Sequence, residues 1–314
     1  MKRRKVERAI DITDCNKEKV KLEPTASLTF HFALHEVAPY INWLYFFHAW
    51  GFPARLGSIA KVHGCEACRQ NWLYSFKEEE RARAREAIRL FDEAQQLLQR
   101  LDASYQTHAI VWLGEAHSEG EDIVLEQSIR LPLLRQQTPG EDGICWCLSD
   151  FVHPVKDCVG CFVCSADQAI EEQQTDDEYQ HLLHQTLADR LAEATAERMH
   201  EMVRRQLWGY APDEQLTIED MFAERYQGKR PAVGYPSLPD QSFNFLLDEV
   251  LNFQSIGVTL TENGAMRPHA STSGLMLAHP ATRHFSVGPI GEDQLEDYAR
   301  RRGKEKDEIR KFLH

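Results

Sequence analysis

The stretch "HAIVWLGEAHSEGEDIVLEQ", residues 108–127, decides the fold. An apolar run rich in β-branched and aromatic residues meets a polar, glycine-bearing turn and then a second apolar run, which is a β-hairpin signature. A hairpin pairs its strands antiparallel. Further strand candidates are "GICWCLSDFV" (143–152), "CVGCFVCSA" (158–166), "GVTLTENGAM" (257–266), "TSGLMLAH" (272–279) and "RHFSVGPI" (283–290).

Helical patterns surround these strands. "HEVAPYINWLYFFHAW" (35–50) puts Pro39 at a first helical position ahead of a dense aromatic face, which predicts a short buried helix. Residues 71–103 carry Ile88, Leu90, Phe91, Ala94, Leu97, Leu98 and Leu101 at helical spacing, behind an acid–base mixture read as a solvated face. A long helix is expected from Asp176 to Trp208, with Leu183, Leu187, Leu191, Met199 and Met202 on one stripe. Thr217 and Asp220 form a capping pattern for a short helix. Another helix is expected over 243–253, and two more close the chain, the first ended by Gly303. Because strands and helices cluster without alternating strictly, the fold class is α+β, a twisted antiparallel sheet with clustered helices. Residues 1–22 read as a charged arm and 23–314 as one composite domain.

Composition narrows the function. The 314 residues carry a formal charge of -13, which repels phosphate backbones and excludes nucleic acid as the natural partner. No apolar run reaches the ~20 residues that span a bilayer. The start, "MKRRKVERAIDITD", lacks the apolar core of a secretory signal. A cytoplasmic protein is therefore expected, and the eight cysteines suit a reducing compartment.

No dinucleotide fingerprint, P-loop, nucleophile elbow or H-E-x-x-H motif is present. His31 with His35, and His181 with His184, are read as packed or surface histidines without a third ligand. "CEAC" (65–68) and "CVGCFVC" (158–164) offer C-x-x-C steps. Cys158 and Cys164 fall on one face of a strand and Cys161 on the other, so one metal does not gather all three. The thiols are read as small core residues and no metal ligand is assigned. Asp189, Glu193, Glu197 and Glu201, interleaved with Arg190, Arg198 and Arg204, read as a solvated polar helix face.

"RPAVGYPSLPDQ" (230–241) holds three prolines and opens on an arginine. Proline fixes φ and removes a donor, so neither helix nor strand ladder is expected through it. Together with "LADRLAEATAERMHEMVRRQLWGYAPDEQL" (187–216), "LTENGAMRPHASTSG" (260–274), "HPATRHFSVGPIGEDQLEDYARRRG" (279–303), "YINWLYFFHAW" (40–50) and "LSDFVHP" (148–154), this loop closely resembles one family. It is the activation domain of cobalamin-dependent methionine synthase, and the resemblance runs from about residue 27 to the C-terminus.

The resemblance implies an α+β domain that binds S-adenosylmethionine in a groove. It further implies that the methyl group is presented to cobalamin held by a separate module, with an electron from a flavodoxin-like protein. The residues matching the family's ligand positions are Asn42, Glu193, Glu224, Arg230, Ala232, Gly234, Tyr235, Gln241, His284 and Phe285. On that reading Arg230 offers a planar fork to the ligand carboxylate. Asn42, Glu193 and Glu224 accept from its ammonium, Ala232 and Gly234 let backbone approach, and Tyr235 lays a ring near the sulfonium. No residue is needed as acid or base, since the sulfonium is already activated; the chain is one part of a methyltransferase system.

Three positions depart from the family pattern. Asn42 stands where aspartate is common, Gln241 where histidine often closes the loop, and His284 at the first of two positions usually aromatic. These motivate a second reading, a docking protein whose ligand site has decayed. The chain shows no zinc module for homocysteine, no folate module and no D-x-H-x-x-G cobalamin motif. The expectation is a reactivation partner acting in trans on a cobalamin-loaded synthase that lacks this module, or on another corrinoid methyltransferase.

Overall fold

The computed structural model describes residues 27–140, 142–173 and 177–313. The arm expected over residues 1–22 lies outside the described residues. The main sheet is built from β1 (Leu28–Ala33), β2 (Gln106–Glu119), β3 (Asp122–Leu125), β4 (Arg130–Pro132), β5 (Asp157–Ala166) and β8 (Ser271–Met276), while β6 (Thr259–Leu260) and β7 (Met266–Arg267) form a small hairpin apart. The helices are α1 (Leu34–Val37), α2 (Trp43–Ala49), α3 (Glu66–Tyr74), α4 (Glu78–Asp102), α5 (Gln168–Glu171), α6 (Glu178–Met202), α7 (Ile218–Phe222), α8 (Phe243–Leu251), α9 (Glu292–Arg302) and α10 (Lys306–Arg310). The α+β expectation holds, and every pairing between strands is antiparallel.

The opening hairpin is β2–β3. Glu119 faces Asp122, leaving Gly120 and Glu121 as a two-residue loop with Gly120 at φ +64°. That left-handed backbone costs a side-chain-free residue little and matches the twist of the flanking strands. Strand β2 then organises the sheet. Its first half pairs with β1 and its last four residues with β3, while β5 runs along its other edge and carries β8 beyond.

Alternation along these strands feeds two cores. Ala109, Val111, Leu113, Phe162 and Cys164 face α2, α4 and α6, whereas Ile110, Trp112, Cys161 and Val163 pack with Phe243, Leu247 and Leu251 of α8. A sheet covered on both faces is dry, and its apolar residues each contribute on the order of 1.5–3 kcal/mol of burial. A smaller third cluster joins Leu134, Val287, Leu295, Tyr298 and Ile309.

Several local expectations change. Residues 35–50 make two helices separated by a 3-10 turn, because Asn42 caps α2 by accepting from the Leu44 N–H at 3.2 Å. Residues 71–103 divide into α3 and α4, and Ala84 and Ala87, inside the acid–base mixture, are fully buried. "GICWCLSDFV" and "RHFSVGPI" form no strand. In the first, Asp150 accepts from the Cys147 N–H and pairs with Arg135, which curls the chain into a 3-10 turn. In the second, Val287 N–H donates to Pro236 O at 2.9 Å, a single backbone bond to the proline-rich loop and not a ladder. No helix among the described residues is long and apolar enough to cross a membrane.

Candidate functional site

The proline-rich loop docks against β8, the last strand of the sheet. Lys229 bridges Leu277 and Ala232 bridges Gly274, with Val233 N–H donating to Ser273 O at 2.9 Å and Leu275 N–H to Pro231 O at 3.0 Å. As expected, no strand ladder runs through this stretch; isolated bridges alone join it to the sheet. Proline still accepts through its carbonyl, so the loop pairs wherever a non-proline residue supplies the donor. The approach is close: a Cβ on Gly274 would lie 2.2 Å from Pro231 O and 2.8 Å from Ala232 Cα.

Beyond Ala232 the chain turns back on itself. Gly234 stands at φ +87°, its N–H donates to Leu238 O at 2.9 Å, and Leu238 N–H donates to Tyr235 O at 2.8 Å. Gln241 donates to Gly264 O at 3.2 Å and reaches back toward Gly234. At the far end Asp240 is buried and accepts from the Tyr298 hydroxyl at 2.7 Å and from Arg302 at 2.9 Å. The loop is held at both ends.

Helix α6 runs beneath its start. Glu193 and Glu197, one helical turn apart, face Arg230. Arg230 Nη2 donates to Glu197, whereas Nη1 lies 4.0 Å from Glu193, beyond hydrogen-bond range. Among the described residues, Arg230 Nε and Glu197 Oε2 are buried without hydrogen-bond partners. Burial disfavours the guanidinium charge, but Glu197, then Tyr226 and Glu193, outweigh it and hold the arginine pKa above its ordinary value. Tyr235 is half-exposed, and its hydroxyl donates to Glu193 at 3.3 Å. The charge on Glu193, with burial, raises the phenol pKa.

The reading of α6 as a solvated polar face is therefore corrected. Glu197 is only 14% exposed, and Arg204, carried inward by a π-helical turn over Val203–Leu207, is fully buried against Glu214 and the Tyr226 ring. Spacing alone did not distinguish this row from a surface one, because its partners arrive from residues 214–230.

Glu224 and His284 meet at 3.1 Å, and Lys229 lies 3.6 Å from the same carboxylate. The hydrogen bond from His284 comes first among the influences that hold Glu224 below the usual carboxylate range; the Lys229 and Arg230 charges add to it. Phe285 packs partly buried between two of the cores. Asn42 stands apart. Among the described residues no hydrogen bond or ion pair joins it to the Arg230 group, and it lines a separate cavity of about 1100 Å³ whose wall runs to Phe222 and Ala223, next to Glu224.

Arg230, Glu193, Glu224, Tyr235, Ala232, Gly234, Gln241 and His284 thus share one end of the sheet. A guanidinium with two nitrogens that have no hydrogen-bond acceptor among the described residues, carboxylates beside it, an aromatic ring and bare backbone suit a zwitterion that also carries a positive centre. Sequence reasoning missed Glu197, Tyr226 and Lys229 as parts of this group. The four-residue step from Glu193 was a signal for Glu197, and Tyr226 and Lys229 stand in "YQGKRPAVGYPSLPDQ" (226–241), the longer motif that carries the family resemblance.

A family model described as "Vitamin B12 dependent methionine synthase, activation domain" matches residues 33–303. Among solved structures, the chain is similar to the MetH reactivation domain crystallised with AdoHcy, at 33% identity and a TM-score of 0.78, covering 91% of this chain and 89% of that one.

Proposed function

Because the chain belongs to the family of vitamin B12-dependent methionine synthase activation domains, we propose that it binds S-adenosylmethionine along residues 230–241 and presents the methyl group to cobalamin on a partner synthase. The observation that carries this is Arg230: Nη2 is anchored on Glu197 while Nη1 has no hydrogen-bond acceptor among the described residues, beside Glu193 and Tyr235.

The residues fit the ligand. Arg230 Nη1 receives the carboxylate, and the anchored Nη2 keeps the fork from turning away. Glu193 and Glu224 accept from the ammonium, with His284 orienting Glu224. The Tyr235 ring lies near the sulfonium, where cation–π attraction contributes ~0.5–2 kcal/mol. Ala232 and Gly234 admit the adenosine to backbone contact and Gln241 and Phe285 close the loop end, while Asn42, set apart at the cap of α2, is assigned to the ligand by the family resemblance alone. A loop pinned before binding loses little further freedom on binding. Cobalamin, carried by the partner, supplies the metal that accepts the methyl group. This chain's own contribution is positioning, and a flavodoxin-like protein supplies the electron through the complex. The functional unit is residues 23–314, acting in the cytoplasm.

The test mixes this chain with a synthase lacking the module, cob(II)alamin, a reductant and methyl-labelled S-adenosylmethionine. Label reaching cobalt at a rate near that of an intact synthase is the expected result; none reaching it refutes the trans role. A second reading, a docking protein without ligand, draws on the internal pairing of Glu224 with His284 and of Glu197 with Arg230. Calorimetry separates the two: absent heat with S-adenosylmethionine, unchanged by Asn42→Asp, favours docking.

A further inference from the structure

Two of the cysteines read as core residues are not in the core. Cys158, Cys161 and Cys164 follow that reading: they lie in β5, and burial pushes their thiols far above the ordinary range. Cys65 is exposed and Cys68 half-buried, both as free thiols, so packing does not account for them.

The local fold brings a third donor to this pair. The 3-10 helix Ala54–Lys61 ends, Val62 is extended, and the chain re-enters helix at α3 with Cys65 as its N-cap. Cys65 Sγ accepts from the Cys68 N–H at 3.4 Å, which is the C-x-x-C step folded into a first helical turn. His63 Nδ1 accepts from the Cys65 N–H at 3.3 Å, which folds the imidazole over the same turn. The side-chain donor atoms of His63, Cys65 and Cys68 all lie within 4.8 Å of one another.

Tetrahedral zinc, with Zn–S of about 2.3 Å and Zn–N of about 2.0–2.1 Å, holds such donors about 3.6–3.8 Å apart. The required contraction is small and falls on exposed chain. The helix behind it is fixed: Arg69 pairs with both Asp92 oxygens at 2.5 Å, and Trp72 Nε1 donates to Ser58 Oγ at 2.9 Å.

We propose that His63, Cys65 and Cys68 bind one thiophilic divalent metal ion of the zinc class, with the fourth position open to water or another donor from solvent. Two thiolates and an imidazole are soft and borderline ligands, which select zinc over magnesium or calcium. Binding forms three protein–metal bonds and releases one proton from each thiol that is not already ionised; no oxidant or reductant takes part. A bound ion fastens residues 62–65 to the start of α3. It thereby braces the preceding 3-10 segment, which contributes Ala54, Gly57, Ser58 and Lys61 to the wall of the cavity beside Asn42. The inference is independent of the S-adenosylmethionine reading.

The full chain, reduced and stripped with a chelator, is titrated anaerobically with Co²⁺ and then Zn²⁺. One equivalent of Co²⁺ should raise a thiolate-to-metal charge-transfer band with intense tetrahedral ligand-field bands, and Zn²⁺ should erase both. Cys65→Ser, Cys68→Ser and His63→Ala should each weaken binding at least about tenfold, the loss that even an outer-shell partner can cause. Cys145→Ser should leave it unchanged. Circular dichroism of each variant confirms folding, and the His63 variant keeps both thiols should the serine variants misfold. Absence of the charge-transfer band, or undiminished Co²⁺ affinity after loss of either thiol or of the imidazole, overturns the proposal. Formation of a Cys65–Cys68 disulfide with no metal uptake under reducing conditions also overturns it.

Discussion

The proline-rich loop ends in two arginine–carboxylate clusters that use the same chemistry differently. At its C-terminal end Arg302 and Asp240 are 2% and 1% exposed, and Tyr298 and Ser242 complete their hydrogen bonds. At its N-terminal end Arg230 and Glu193 are 13% and 31% exposed and 4.0 Å apart, and among the described residues Nη1 has no hydrogen-bond acceptor. A closed cluster holds the fold and an incomplete one is free to hold a ligand. Removing one partner from a buried pair strands a charge, whereas altering an incomplete pair mainly changes what it recognises.

The largest effect should come from Asp240→Ala. It leaves Arg302 buried and unpaired, and urea denaturation should show a loss of about 3–5 kcal/mol. A loss under 1 kcal/mol would erase the distinction between the two ends. Next is Arg230→Lys, which keeps the charge but loses the fork. S-adenosylmethionine affinity measured by calorimetry should fall about tenfold or more, since a hydrogen bond to a charged group carries about 1.5–3 kcal/mol. Arg300→Lys, at a side chain 73% exposed, is the proper control and should leave affinity unchanged. Arg301 does not serve as one. Near the end of α9, it is 13% exposed and pairs with Asp122 and Asp297.

A third test concerns pH. His200 lies fully buried beside the Arg230 end, and burial, then the Arg204, Arg230 and Lys229 charges, hold its pKa well below the ordinary 6.5. Below that pH the unfolded chain binds a proton that the folded chain does not. Stability therefore falls as pH drops through 6.5, by up to about 1.4 kcal/mol per pH unit from this group. Denaturation curves of His200→Gln should lack that slope. The smallest change is at Tyr235: Tyr235→Leu should weaken binding by about 0.5–2 kcal/mol and Tyr235→Phe by less, because the ring remains. Equal losses would move the role from the ring to the hydroxyl that meets Glu193.

Much of this arrangement was legible in the chain itself. Apolar runs in residues 108–127 and 158–166, the first broken by a glycine-bearing turn, announced the strands and their hairpin, since a strand covered on both faces needs apolar side chains on each. Thr217 with Asp220 announced α7 through a purely local hydrogen bond. "RHFSVGPI" misled because apolar alternation says nothing about whether a sheet edge is vacant. Glu197 and Arg204 misled because a polar row on a helix looks alike in solvent and under a loop. Cys65 and Cys68 misled because a thiol's neighbours, and not its spacing, decide whether it is buried.

The sequence by itself determined the α+β class, the family likeness and the stiffness of residues 230–241, because propensity, period and proline geometry are properties of contiguous chain. Tertiary structure alone decided that the stiff loop pairs with β8, that Arg230 lies over Glu193 and Glu197 while Arg302 is sealed against Asp240, and that His63 joins Cys65 and Cys68 in an exposed cluster. Burial and charge neighbourhood arise between segments tens of residues apart, and no local pattern encodes them.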